Sequence, residues 1–289
     1  MKISSTIIDT APRDAATVII LRDGSSGLEV FLVRRHGLSD VLGGAYVFPG
    51  GKLDASDLQL ASHLDQAASA LHAALGEPEL AIEQAGGLYV AALREAFEEC
   101  GVLFAEGVSQ RHSLQLAEQI RGGRPFNQVL ADLQLRLQTR AVLPWSRWIT
   151  PHMPSITNKR FDTRFFVAAL PADQIARHDD VETTESAWLA PRLALQQYWD
   201  RAIELAPPQI MTLAHLSRFP DVASVLHSAR QRPPALVAPE PFEAQGERIL
   251  CYPGDPRHSS RTAAMPGPTR LHWRNQRFEP EQGFAALFA

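Results

Sequence analysis

Residues 15–22 and 28–35 are rich in β-branched and apolar side chains, and the turn-forming run Asp23-Gly24-Ser25-Ser26-Gly27 separates them. The pair predicts a β-hairpin. A short apolar run, Ala45–Phe48, meets Pro49-Gly50-Gly51 and must leave the strand as a loop. Over 58–75, Leu58, Leu60, Leu64, Ala68, Leu71 and Leu75 recur close to helical spacing. Gly86-Gly87 breaks that pattern, and a second helix is predicted over about 88–100, stopped by Gly101. Residues 105–143 predict two further helices around Gly122-Gly123-Arg124-Pro125. Strands are expected near Arg147–Thr150, Thr163–Leu170 and Ser186–Leu189, and Pro191 and Pro207-Pro208 can each open a helix at its first turn. Beyond Arg232 nine prolines fall between Pro233 and Pro280 and no periodicity persists. That stretch reads as an extended tail packed on the body, or partly disordered.

Composition narrows the class. The chain has 289 residues, 45% hydrophobic, which excludes general disorder and provides enough apolar surface for a core without staples. Its apolar runs fall far short of the ~20 residues of a membrane span, and Asp9, Arg13 and Asp14 stand where a signal peptide would be apolar. A net charge of −4 supplies no field for nucleic acid or an anionic membrane. Cys100 and Cys251 form no C-x-x-C pair and fit a reducing compartment, so a cytoplasmic protein is expected, with neither nucleic acid nor membrane as partner.

The chemistry concentrates in Arg94-Glu95-Ala96-Phe97-Glu98-Glu99-Cys100-Gly101-Val102. At 100° per residue, Glu98 and Glu99 each fall within about 60° of Glu95 on one helix face, while Leu93, Ala96, Phe97 and Cys100 can face a core. Like charges three or four residues apart destabilise a helix, and Arg94, four before Glu98, relieves only part of that repulsion. The cluster makes better sense with a cation between the carboxylates, and all-oxygen ligation favours hard Mg²⁺ or Mn²⁺. A solvated acidic face is the bland alternative for these three residues alone. The ten histidines show no H-E-x-x-H spacing, there is no G-x-S-x-G elbow, and Lys52 lacks the rest of a P-loop.

The neighbours of the cluster give it a family. The run from Arg94 to Val102 resembles the second half of the Nudix hydrolase motif, and Phe48-Pro49-Gly50-Gly51-Lys52-Leu53-Asp54-Ala55-Ser56-Asp57 resembles the first, with Asp57 where the family has Glu. The halves are separated by 36 residues, Leu58 to Leu93, where the simple motif has seven, so 29 residues are inserted. The resemblance implies an α/β fold, a Nudix α/β/α sandwich around a mixed β-sheet with helical insertions. Its domain would span 1–232, with a helical insertion at about 58–87 and a helical segment at about 105–143, followed by a Pro-rich extension at 233–289.

It also implies a hydrolase acting on a nucleoside diphosphate linked to another moiety, with Mg²⁺ or Mn²⁺ held by Glu95, Glu98 and Glu99 and by the carbonyl at Gly50. Arg94 would orient the cluster. The family often takes a further Glu from a distant loop as base or ligand. Glu182 and Glu185 are the candidates, and Glu185 is the one expected to be catalytic.

The upstream signature of the coenzyme A branch is met at Leu32, Arg35, Gly44 and Phe48-Pro49-Gly50-Gly51 but not at Phe31, Val33, His36 or Asp40, the last replacing an Arg. The inserted motif, Trp148-Ile149-Thr150-Pro151 and Arg160-Phe161-Asp162-Thr163-Arg164 resemble the long acyl-coenzyme A diphosphatases. Arg35, Phe48, Lys52, Arg160 and Arg164 are therefore the expected substrate contacts, and coenzyme A or its acyl esters the expected substrate. A pyrophosphatase for NADH, ADP-ribose or another nucleotide conjugate is the alternative enzyme, and a non-catalytic Nudix-like binding domain the alternative class. Homodimers are frequent in the family and are carried as an expectation.

Overall fold

The computed structural model describes residues 7–37, 42–59, 63–153 and 159–289. Asp40 and Leu60 lie outside them. Strands β1 (Arg13–Gly24) and β2 (Gly27–Arg35) form the expected hairpin, with Gly24 paired to Gly27 across the turn. Two short strands follow, β3 (Tyr46–Val47) on β2 and β4 (Gly50–Lys52) on β1, so the Pro49-Gly50-Gly51 loop is itself stitched into the sheet.

The inserted segment is less helical than its leucines suggest. A single 3₁₀ turn at Asp57–Gln59 and helix α1 (Ala68–Leu75) are formed, rather than one helix over 58–75. The intervening backbone is drawn elsewhere. Leu64 bridges Leu137, and Asp65 Oδ1 accepts from the Thr139 N–H at 2.7 Å and from its hydroxyl. Helix α2 (Ile82–Cys100) begins six residues before its expected start and runs through Gly86-Gly87, which do not break it. The reason is packing: a Cβ at Gly87 would stand 2.6 Å from Leu58 Cδ2 and 3.1 Å from Leu53 Cδ1, so glycine lets the chain before the insertion lie against the helix.

Helices α3 (Gln110–Arg121) and α4 (Phe126–Asp132) flank the Gly122–Pro125 break as expected. Strands β5 (Leu143–Ile149), β6 (Phe161–Ala169) and β7 (Thr183–Leu189) precede helices α5 (Pro191–Trp199), α6 (Pro207–Leu216) and α7 (Val222–Gln231). Pro191 and Pro207 open α5 and α6 at the first turn, where no N–H is needed.

The described residues form a mixed eight-stranded sheet ordered β3-β2-β1-β6-β5-β8, with β4 also on β1 and β7 also on β2. The β1–β6 pair is parallel. Strand alternation divides the core into two layers. Val18, Ile20, Phe31, Val33 and Phe166 face α1 to α4, and Ile19, Leu21, Val30, Leu32 and Phe165 face α5 to α7. The result is the expected α/β/α sandwich.

The Pro-rich stretch is a folded part of that sandwich. β8 (Ala235–Val237) joins the edge of the sheet in parallel with β5. β9 (Glu240–Ala244), β10 (Glu247–Cys251), β11 (Arg270–Arg274) and β12 (Arg277–Glu279) form a separate antiparallel sheet. Leu250, Tyr252, Leu271 and Phe278 bury their side chains in the α5–α7 layer, and Tyr198 of α5 donates to the Phe278 carbonyl at 2.8 Å.

Candidate active site

Helix α2 carries Glu95, Glu98 and Glu99 in its last turns, where the helix dipole disfavours negative charge. Gly101 then ends the helix in the left-handed conformation at φ +69°, its N–H donating to the Phe97 carbonyl at 2.8 Å while Val102 reaches back to Ala96. One cation sits among the acids. Arg94 Nε and Nη2 donate to the two oxygens of Asp57 at 2.9 and 3.1 Å, and Nη1 donates to Glu95 Oε1 at 2.8 Å and Glu98 Oε2 at 2.9 Å. Nη2 also reaches the Lys52 carbonyl at 3.1 Å. Asp57, one carbon shorter than Glu and 2% exposed, thus grips Arg94 across the insertion.

Three carboxylates share this single guanidinium. Burial alone would lower the Arg94 pKa, but Asp57, Glu95 and Glu98 outweigh it and hold the group charged. Burial pushes Glu95 up to about 7 against the pull of Arg94, with Glu98 adding to the rise. Glu99 is pushed up to about 8 by burial and by Glu95, against the Gly50 N–H that donates to its Oε2 at 3.0 Å. Glu98 is raised by burial too. Gly51 is the cradle of the cluster, since a Cβ there would collide with Glu95 Oε1.

The remaining expected site residues divide. Gly50 lies in β4 against Glu99, and Arg35, at the end of β2, helps hold the Glu99 carboxylate down. Phe48 is 2% exposed and packs edge-on to Phe165. Lys52 points to solvent and pairs with Asp54 at 3.1 Å. Arg164 is turned away on the α2 face, bonded to Asp14, to both oxygens of Glu77 and to the Asp162 carbonyl. Arg160 donates to the carbonyls of Thr150 and Thr10, both at 3.0 Å. Internal acceptors thus take donors of both arginines, which were expected to meet substrate phosphates.

Glu185 is engaged at the sheet. It faces Arg34 across the β2–β7 pair at 3.4 Å and stands beside the Tyr46 hydroxyl, whose pKa burial and this carboxylate push up to about 12. Glu182 is the acid that adds to the upward shifts of Glu95, Glu98 and Glu99. Its backbone is pinned: its N–H donates to Asp179 at 3.0 Å, and its carbonyl accepts from the His36 N–H at 3.0 Å.

A cleft of about 200 Å³ runs from Gly50 and Arg35 along the α5–α7 face. Trp148, Phe165, Pro208 and Gln209 line it, and Pro239 and Leu250 from the C-terminal stretch close it. Those last four had no sequence signal beyond a helix start at Pro207-Pro208. Cys100 is fully buried and its thiol is pushed well up by burial, so it fills the core rather than serving as a nucleophile.

Among the described residues no three of these acids already stand at coordinating spacing, and Arg94 Nη1 spans Glu95 and Glu98. The donor set nevertheless fits a hard divalent cation: all its donors are oxygens, and their charge exceeds what Arg94 neutralises.

Known proteins resemble this chain. The family model described as the NUDT19 Nudix domain matches residues 66–216, just over half of the chain. Acyl-coenzyme A diphosphatase NUDT19 of Xenopus laevis is 26% identical over 235 residues, covering 68% of this chain and 62% of that protein. The human protein of the same name is also 26% identical, over 239 residues, with 70% and 64% covered. The chain thus spans less than two thirds of the length of these relatives. A Nudix hydrolase crystal structure from Alicyclobacillus acidocaldarius superposes with a TM-score of 0.61 at 25% identity, covering 76% of this chain and 97% of that one. With a family match over half its length and the Arg94 cluster in a Nudix sandwich, the chain belongs to the Nudix hydrolases, in the NUDT19 branch.

Proposed function

We propose that the protein is a divalent-metal-dependent diphosphatase that hydrolyses the diphosphate of coenzyme A or an acyl-coenzyme A. The observation that carries the reaction class is the buried cluster in which Asp57, Glu95 and Glu98 converge on Arg94 while Glu99 is held by Gly50. The substrate reading is supported by the named activity of the NUDT19 relatives. Mg²⁺ or Mn²⁺ held by Glu95, Glu98, Glu99 and the Gly50 carbonyl would neutralise the diphosphate and acidify water.

The chain's own residues divide the remaining work. Arg94 holds Glu95 and Glu98 in place through charge-assisted hydrogen bonds. Arg35, on the cleft beside Glu99, donates to the diphosphate. Glu182, put forward in place of Glu185, accepts the proton of the attacking water. The water oxygen bonds to phosphorus as the anhydride P–O bond breaks, leaving 4′-phosphopantetheine, or its acyl ester, and adenosine 3′,5′-bisphosphate. Free, buried Cys100 and Cys251 agree with a reducing compartment such as the cytoplasm. A homodimer rests on the family resemblance alone.

Product analysis with Mg²⁺ and Mn²⁺ across coenzyme A, acetyl-coenzyme A, NADH and ADP-ribose tests this reading. Release of 4′-phosphopantetheine from coenzyme A is the expected outcome. Preference for NADH or ADP-ribose would retain the acid cluster and discard the coenzyme A substrate, and saturable binding without product would favour a binding domain. Glu98→Gln should lower kcat by about a hundredfold or more with the far-ultraviolet spectrum unchanged. Undiminished turnover would remove Glu98 from the reaction.

A further inference from the structure

The cleft beside the acid cluster is a built subsite with an unusual lining. Its walls are the buried aromatic residues Trp148 and Phe165, together with Pro208, Pro239 and Leu250. Trp148 and Phe165 are each 4% exposed with ring centroids 6.2 Å apart, and Phe48 beside them meets Phe165 edge-on at 6.4 Å. The prolines bring no N–H donor. Thr17, Thr150 and Thr163 also line the cleft, and among its polar members Gln209, near the start of α6, is only 6% exposed. Its Oε1 is buried with no hydrogen-bond partner, which costs free energy in the absence of a ligand that satisfies it. At the other end, Arg35 Nε is likewise buried without a partner, beside Glu99.

A largely apolar slot with the unpartnered Gln209 acceptor in its lining and the Arg35 guanidinium at one end matches an aliphatic arm that carries an anionic phosphate at one end and a secondary amide along its length. We propose that this cleft is the subsite for the pantetheine arm, with Gln209 Oε1 accepting an amide N–H of that arm and the C-terminal stretch, through Pro239 and Leu250, forming its outer wall. The inference rests on the coenzyme A reading for the identity of the arm. It goes beyond that reading in assigning a specificity-determining residue outside the Nudix motif and a role to a segment that lies beyond the matched residues 66–216.

The test separates the subsite from turnover by using 4′-phosphopantetheine as the probe, titrated calorimetrically into the full chain with Mg²⁺ present. The wild-type protein should bind it. Gln209→Leu, which removes the orphaned acceptor and keeps the volume, should weaken binding about tenfold with the melting temperature unchanged or raised. Pro208→Trp, at a half-buried rim position, should fill the slot and reduce binding to below detection, with a cooperative melt showing that the variant is folded. No binding by the wild type, or equal binding by all three proteins, would overturn the assignment. Coenzyme A hydrolysis is measured separately. If it occurs while probe binding ignores both substitutions, the diphosphatase reading stands and the subsite is wrong. If it does not occur while the probe binds as expected, the subsite stands and the substrate must be another amide-bearing phosphate.

Discussion

Arg94 is the residue on which the site turns, because it is a buried cation whose neighbours are all acids. Taking away its bidentate partner leaves that charge poorly compensated, which is more damaging than losing a surface pair. Asp57→Ala is therefore expected to destabilise the fold by about 3 kcal/mol, read as a lower urea midpoint at unchanged m-value. A midpoint within error of wild type would mean that Glu95 and Glu98 alone satisfy Arg94. In sequence Asp57 looked like a shortened substitute stranded before an insertion. Its grip on Arg94 spans 37 positions and is set by how the 3₁₀ turn packs on α2, so no local pattern could register it. The same holds for Arg164: an arginine in a strand is legible, but its pairing with Asp14 and Glu77 is made by two other parts of the chain.

At the scale of elements, β4 lies so close against β1 that glycine is required at Gly50. A Cβ at Gly50 would lie 2.6 Å from the Ala16 carbonyl and 2.7 Å from Thr17 Cα, backbone that cannot yield without breaking the β1–β4 pairing. Gly50→Ala should cost about 2 kcal/mol or more and displace the N–H that holds Glu99, lowering activity and melting temperature together. Loss of activity at unchanged stability would argue that β4 adapts.

Helix α6 carries a second prediction. His215 packs between Trp145, at 4.8 Å, and Phe219, at 5.8 Å, and burial, with Arg232 and Arg218 adding to it, lowers its pKa to about 4. Its ordinary value is near 6.5, so the unfolded chain binds the proton first. The stability it contributes is complete above pH 6.5 and is lost as pH falls toward 4, by about 3 kcal/mol. His215→Leu should flatten the stability profile across that window, and an unaltered slope would place the acid sensitivity elsewhere. Helix periodicity and proline starts were visible in the chain for α2 and α6. What was not visible is that Gly86-Gly87 belong inside α2, because that depends on Leu58 arriving against the helix from across the insertion.

For the whole molecule, the acid cluster couples stability to a bound cation. Without one, Glu95 and Glu99 carry protons in the folded state up to about pH 7 and 8 that the unfolded chain releases near pH 4.5, so stability falls as pH rises through that interval. A divalent cation that displaces those protons should raise the melting temperature more at pH 8 than at pH 6, with a gain of about 2.7 kcal/mol at a hundred times Kd. Calorimetry in buffers of different ionisation enthalpy should register proton release on Mg²⁺ binding. Equal stabilisation at both pH values with no proton release would contradict the placement of the cation among these glutamates. The C-terminal stretch belongs to the same scale: β8 extends the sheet while β10 and β11 lend side chains to the core, so the sandwich and its cleft are completed by residues that looked like a tail.

The chain alone determined the hairpin, the glutamate-bearing face of α2 and the two separated halves of the Nudix motif. These follow from helical and strand periodicity and from turn chemistry, which act between residues a few positions apart. Only the tertiary structure decided that Asp57 captures Arg94, that Glu182 adds its charge to the cluster while Glu185 pairs with Arg34, that Arg160 and Arg164 bond internal acceptors, and that Gln209 and the C-terminal stretch border the cleft. Those outcomes depend on sheet register and on competition for buried hydrogen bonds among segments tens to hundreds of residues apart. That competition is resolved by the free energy of the whole fold rather than by any local preference.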